Sequence, residues 1–373
     1  MNAESEENNA TSSDSVEVKD PTARQQIRFR RRGALGEIIL TRPQSLNSLS
    51  LDMIRQADPY LRAWAENPAV RAVAIHGDGD KAFCAGGDVR AVHDAGKAGE
   101  DLTRRFFAEE YTLNRLIHLF EKPYVALIDG VTMGGGVGLS VHGRYRVAGD
   151  RTLVAMPETG IGFFPDVGST FVLSRMPGGL GMYIALTGAR LGPADALYTG
   201  FATHYVPSDR ILAIPDALVN LSDVPDTDAS VAEILTERAG DAGEPPLAEH
   251  REAIDRCFQG DSVEAILSAL DDEETDWAAA TRKTLDGMSP TSLKLTFEAL
   301  RRAAWQDFDT CLRMEFRISQ RCMEGRDFYE GIRSLLVDKD KSPQWDPKTL
   351  AEVRDSDIEA YFESLGEDEL SLG

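Results

Sequence analysis

Cysteine is scarce, with four in 373 residues, at 84, 257, 311 and 322. None forms a CxxC pair or joins a histidine cluster, which excludes a disulfide framework and argues against a zinc site; no metal ligands are expected. No apolar run approaches the roughly 18 residues of a spanning helix, so no membrane partner is expected. Positive charge is short: 40 Lys and Arg face 62 Asp and Glu, for a net −22. Such a surface repels phosphate backbones and anionic lipid, so nucleic acid is not an expected partner either. The acidity also reads simply as solubility or adaptation to salt. The N-terminus, MNAESEENNATSSDS, has neither an apolar signal core nor an Arg-rich leader, which leads to a cytoplasmic expectation.

What is present is enough apolar content, 42%, for a large core. Residues 1–24 are polar and acidic and read as a disordered tail. Over 25–225, strand-like runs at 34–40, 70–76, 124–129 and 202–206 alternate with helical stripes such as Leu51, Ile54, Leu61 and Trp64. This is an α/β pattern. Residues 226–350 read as a helical region, with Ser289-Pro290 as a helix start. From 351 to 373, eight acids face one base, and a loosely packed acidic tail is expected.

The glycine-rich segment IDGVTMGGGVGLS (128–140) follows a strand. It fails the dinucleotide template, because Leu139 stands where the last glycine should be. Ser140 and His142 imitate a nucleophile elbow, but the closing glycine is displaced to 143. What survives is a glycine triplet that frees backbone N–H groups at a helix start, where negative charge binds. It reads equally well as a tight strand-to-helix crossing. A second loop, AFCAGGD (82–88), has the same shape, and one donor from each loop would make an oxyanion hole. Cys84 reads as small packing.

Three acids stand out. Phe106, Leu113, Ile117 and Phe120 form an apolar helical stripe, and Glu110 falls on it. An acid there costs free energy unless paired or working, although a place at the stripe's margin also fits. The stretch MPETGIGFFPD (156–166) sets Glu158 and Asp166 among apolar residues, glycines and prolines.

Together TRPQSLNSLS (41–50), AFCAGGD, DGVTMGGGVGL, MPETGIGFFPDVGST (156–170) and ALTGARLGPADALYTGFATHYV (185–206) resemble the crotonase (enoyl-CoA hydratase/isomerase) superfamily. The resemblance implies a spiral of ββα units with a helical C-terminal region. Within it the chain is most similar to the branch that hydrolyses 3-hydroxyisobutyryl-CoA in valine breakdown. That narrower likeness rests on 142–170, SPTSLKLTFEAL (289–300) and 314–345.

The resemblance implies that the N–H groups of Gly87 and Gly135 are the oxyanion donors. Of the two hydratase glutamates, one falls on Glu158 and the other on Gly138, where no carboxylate exists. Asp166 stands where hydratases have glycine. The hydrolase pattern implies ligand contacts at Glu110, Gly135, Glu158 and Asp166, with Glu158 and Asp166 catalytic.

Hydration needs two opposed carboxylates, and one is missing. Thioester hydrolysis needs less, since a thiol with a pKa of about 8.5 leaves without strong acid help. An acyl-CoA substrate is therefore expected, with coenzyme A as part of it and no separate cofactor. Arg42, Lys81, Lys339 and Lys341 are candidates for its phosphates. Enoyl hydration or isomerisation, and coenzyme A binding without turnover, are the competing expectations. Assembly into a homo-oligomer fits the superfamily's habits.

Overall fold

The computed structural model describes residues 25–221 and 224–372. The tail expected over 1–24 lies outside them. β1 (Ile27–Arg32) and β2 (Leu35–Leu40) pair antiparallel through a turn at Gly33, whose φ of 53° suits glycine. β2 then pairs in parallel with β3 (Ala72–Gly77). The same sheet continues through β5 (Tyr124–Leu127), β7 (Tyr145–Ala148) and β9 (His204–Tyr205). A second parallel sheet has three short strands in the order β4 (Ala82–Cys84), β6 (Val131–Met133) and β8 (Leu153–Ala155).

The sequence order of these strands explains the spiral. β3, β5 and β7 each lie in the large sheet, and the next strand, β4, β6 or β8, steps into the small one. A helical segment then returns the chain. β2 is buried along its whole length, as a strand covered on both faces must be.

Helix α1 (Leu51–Glu66) starts at Ser50, whose side chain accepts from the Met53 N–H. It buries Met53, Ile54, Ala57, Leu61 and Trp64, the expected stripe with Leu51 only half-buried. Burying each large side chain stabilises by about 1.5–3 kcal/mol. Trp64 lies so close to β2 that a Cβ on Gly36 would come 2.7 Å from its ring. Helices α2 (Val89–Lys97) and α3 (Leu102–His118) follow β4. In the C-terminal region, helix Pro290–Ala303 begins where expected, with the Ser289 side chain accepting from Ser292 N–H and Pro290 in the first turn. Helix Phe308–Glu324 packs across α3.

Two expectations need correction. The division at 225/226 does not follow a break in packing. Val231 and Leu235 share one apolar cluster with Ile211, Ile214 and Leu218 against Leu35, Val125 and Val147 of the large sheet. Nor is 351–372 loosely packed: Val353, Ile358, Phe362 and Leu370 are buried in the main core. Composition misled here because the acids lie between four apolar anchors. Among the described residues, no helix is long and apolar enough to cross a membrane.

Candidate active site

The three strands of the small sheet run parallel, so their C-terminal ends lie side by side. Each end delivers one part of a site. β4 leads into Gly86-Gly87, β6 into Gly134-Gly135, and β8 into Pro157-Glu158.

The glycines are required by contact. Gly134 takes φ 46° and ψ −119°, a conformation closed to other residues. A Cβ on Gly135 would lie 2.5 Å from Glu110 Oε1 and 3.2 Å from the Gly87 nitrogen. That pair of distances puts the Gly87 N–H, Gly135 and the Glu110 carboxylate in one small volume. As the first residue of helix Gly135–Gly138, Gly135 has no intrahelical acceptor for its N–H. Among the described residues no backbone carbonyl takes the Gly87 N–H either, and both donors are open to a ligand.

Glu158 starts a 3-10 turn, Glu158–Ile161. Its Oε1 would stand 3.1 Å from a Cβ on Gly134, and its Oε2 is buried without a hydrogen-bond partner. Glu110 is buried on α3, inside the apolar stripe, and its Oε1 is likewise unpartnered. Asp166 accepts a hydrogen bond from the Tyr111 hydroxyl at 2.7 Å. Among the described residues no Lys or Arg pairs with any of these three acids.

Their electrostatics follow from that absence. Burial pushes the Glu158 carboxyl well above the usual range, and Asp166 pushes it further. Burial does the same to Glu110, with Asp166 and Glu158 adding to it. Asp166 is pushed up to about 7 by burial, against the Tyr111 hydrogen bond that favours its charge. Asp166 can therefore exchange a proton near neutrality, and all three acids hold protons more tightly than exposed carboxylates do.

A cleft of about 750 Å³ opens beside the site, lined by Met133, Pro157, Gly160, Tyr183, Trp277 and Met288 among others. Pro157 and Gly160 flank Glu158, so the cleft reaches its backbone. The residues singled out for phosphates do not line it. Arg42 is held by Asp88 at 2.9 Å, while Lys81, Lys339 and Lys341 are exposed elsewhere. Arg190 does line it.

Gly138 has no room for a side chain: a Cβ there would come 2.7 Å from Asn114 Nδ2 and 2.8 Å from Val167 Cβ. The Ser140 hydroxyl donates to the Gly136 carbonyl at 2.8 Å, and His142 Nε2 meets the Val167 carbonyl at 2.7 Å, so the two make no nucleophile pair. Burial pushes the Cys84 thiol up to about 12, which keeps it unreactive. The described residues contain no group of three or more His, Cys, Asp or Glu that could hold a metal ion.

Sequence reasoning missed Tyr111 and Glu315. Tyr111 is not among the stripe residues Phe106, Leu113, Ile117 and Phe120, and only its hydroxyl's partner reveals it. Glu315 carried the same signal as Glu110, an acid between apolar helical positions, here Leu312, Phe316 and Ile318.

The model of the enoyl-CoA hydratase/isomerase family matches residues 35–362. The chain is 50% identical to the mitochondrial 3-hydroxyisobutyryl-CoA hydrolase of Xenopus tropicalis, over 91% of this chain and 89% of that one. It is 44% identical to the Homo sapiens protein of that name, over 95% and 92%. Among solved structures, a carnitinyl-CoA dehydratase from Mycobacterium thermoresistibile superposes with a TM-score of 0.88 at 42% identity, covering 94% and 99%. An enoyl-CoA hydratase from Rhodobacter sphaeroides 2.4.1 gives 0.85 at 36%, covering 93% and 100%.

The mitochondrial names of the relatives overturn the cytoplasmic expectation. That expectation rested on the composition of residues 1–24, and an acidic stretch speaks only against a leader within itself. With the family model spanning most of the sequence and relatives of about half identity along nearly its whole length, the chain belongs to the enoyl-CoA hydratase/isomerase family.

Proposed function

We propose that the protein hydrolyses a short 3-hydroxyacyl-CoA thioester, 3-hydroxyisobutyryl-CoA first among them, to the free hydroxy acid and coenzyme A. The observation that carries this is Glu158: a buried carboxylate with an unpartnered oxygen, beside two glycines whose N–H groups are free. The relatives' names agree with it.

In this reading the thioester oxygen accepts from the N–H groups of Gly87 and Gly135, which stabilise the charge that develops as the carbonyl carbon is attacked. Glu158 either takes a proton from water at that carbon or attacks it directly. Its raised pKa makes it the stronger base once ionised. In the first route the water oxygen joins the acyl carbon, the C–S bond breaks, and the thiolate takes the proton that Glu158 removed from water. In the second the C–S bond breaks to leave an acyl–Glu158 anhydride, which water then cleaves to the free acid, supplying the thiolate's proton. Asp166 binds the 3-hydroxyl through the oxygen that Tyr111 leaves open. Glu110, pressed against Gly135, fixes the height of that loop. Coenzyme A is part of the substrate, and no separate cofactor takes part.

The lyase names of the two solved structures suggest a second reading, hydration of an enoyl thioester. Hydration needs a second carboxylate facing Glu158. The position that would supply it is Gly138, and the structure leaves no space there for a side chain.

Release of free thiol from a panel of acyl thioesters, set against loss of enoyl absorbance, separates the two. Glu158→Gln should lower thiol release about 100- to 10,000-fold with folding unchanged. Near-full hydrolysis by that folded variant sinks the assignment.

A further inference from the structure

Asp166 precedes a tight turn that leads into the short helix Ser169–Leu173. Val167 takes φ 57° and Gly168 φ 77°, both in the left-handed region. For a β-branched residue such as Val167 this is strained and persists only when neighbours enforce it. Two neighbours do. His142 Nε2 meets the Val167 carbonyl at 2.7 Å. From the far side, Glu315 of helix Phe308–Glu324 accepts the Gly168 N–H at 2.6 Å on one oxygen. Its other oxygen accepts the Thr170 N–H at 3.1 Å and the Thr170 hydroxyl at 2.5 Å.

Glu315 is a poor choice for a purely structural clamp. It is fully buried, and no cation pairs with it among the described residues. Burial pushes its carboxyl up to about 8, and Asp166 adds to that. A buried acid without a counterion is retained against a free-energy cost. Its neighbour on the helix points the same way: the Phe316 ring meets Tyr111 edge-on at 6.4 Å, and Tyr111 holds Asp166 Oδ2. Consecutive residues of one C-terminal helix thus support Asp166 from two sides, one through its own backbone turn and one through its hydrogen-bond donor.

We infer that Glu315 is a positioning residue for the reaction, fixing through the Gly168 and Thr170 donors the place from which Asp166 meets the substrate's 3-hydroxyl. This rests on the reading of Asp166 given above. Reactive geometry that slips by about 1 Å can cost about 100-fold.

The test compares a 3-hydroxyacyl thioester with its unsubstituted acyl analogue, by thiol release, in Glu315→Gln, Thr170→Val and Asp166→Asn. Glu315→Gln keeps the side chain's shape but turns one acceptor into a donor facing an N–H. Thr170→Val removes one hydroxyl donor and spares the carboxylate, so a signal remains if the Glu315 variant folds poorly. The expected result is a fall in kcat/KM of about 10- to 100-fold on the hydroxyacyl substrate in Glu315→Gln, with a distinctly smaller fall on the plain one. Thr170→Val should follow weakly, and adding Glu315→Gln to Asp166→Asn should cost little more. Equal falls on both substrates in folded Glu315→Gln, while Asp166→Asn falls selectively, overturn the inference. If Asp166→Asn itself falls equally on both, the hydroxyl reading of Asp166 fails. The cycle then decides for Glu315: additive losses overturn its positioning role, and non-additive losses support it.

Discussion

Glu37 and Glu158 are both buried, at 1% and 6% exposure, yet the protein treats their charges in opposite ways. Glu37, on β2, accepts from Arg30 at 2.5 and 3.0 Å and from Arg32 at 3.0 Å, and meets His76 Nε2 at 3.0 Å. Burial pushes its carboxyl up, but the His76 and Arg30 hydrogen bonds outweigh that and hold it at about 2. Glu158 has the same chemistry and no such partners, and its carboxyl is driven the other way. A charge that serves the fold is paired. The charge proposed to serve the reaction is left short of partners, at a cost in stability.

The largest way to break this contrast is to fill the empty side. Gly135→Ala sets a methyl 2.5 Å from Glu110 Oε1 and displaces the N–H proposed as an oxyanion donor. Turnover should fall about 100- to 1,000-fold with helix content by circular dichroism unchanged.

Next, the two glutamates should respond to neutralisation with opposite signs. Glu37→Gln takes the shared carboxylate from Arg30 and His76, while Arg32 keeps Asp216, and should lower unfolding free energy by about 2–3 kcal/mol in urea titrations at neutral pH. The folded value of Glu37, about 2, lies below its ordinary 4.5, so its contribution is present above about 4.5 and fades as pH falls toward 2. Glu158→Gln should instead raise stability, by about 1–2 kcal/mol at pH 8. Its folded value lies above 4.5, so the native state is favoured below that pH and penalised as pH rises. At pH 4 the gain should vanish. Shifts of the same sign at pH 8 would erase the distinction.

The smallest effect is a displaced titration. The Asp166 charge is one cause of the raised Glu158 carboxyl, so Asp166→Asn should move the acid limb of the kcat/KM profile to lower pH. A limb that stays in place, or moves up, shows that the two carboxylates do not sense each other.

Much of this was legible in the sequence. The strands at 34–40, 70–76 and 124–129 are apolar runs bounded by turn residues, and an interior strand has few other ways to look. Glu110 stood out because an acid interrupts a helical stripe. The small sheet did not stand out, because strands of three residues, such as Ala82–Cys84, are too short to show a period. Tyr111 gave no sign of its place in the site, and Glu315, an acid among apolar helical positions like Glu110, gave no sign of what it holds. Their partners lie 55 and 145 to 147 residues away, and a single sequence records no such distances. The acidic C-terminus was misread because charge per residue hides the spacing of Val353, Ile358, Phe362 and Leu370.

That last segment bears on how the protein can be handled. Arg104 of α3 pairs with Asp368 at 2.9 Å, and Arg317 with Glu369 at 2.7 Å, so the final turn is tied to the helix that carries Glu110. Ending the chain at residue 350 would strip four buried side chains, worth about 6–12 kcal/mol together as an upper bound. That rivals the whole stability of an ordinary domain, about 5–15 kcal/mol. An affinity tag fused behind Gly373 would begin three residues from buried Leu370, so the handle belongs on the other end.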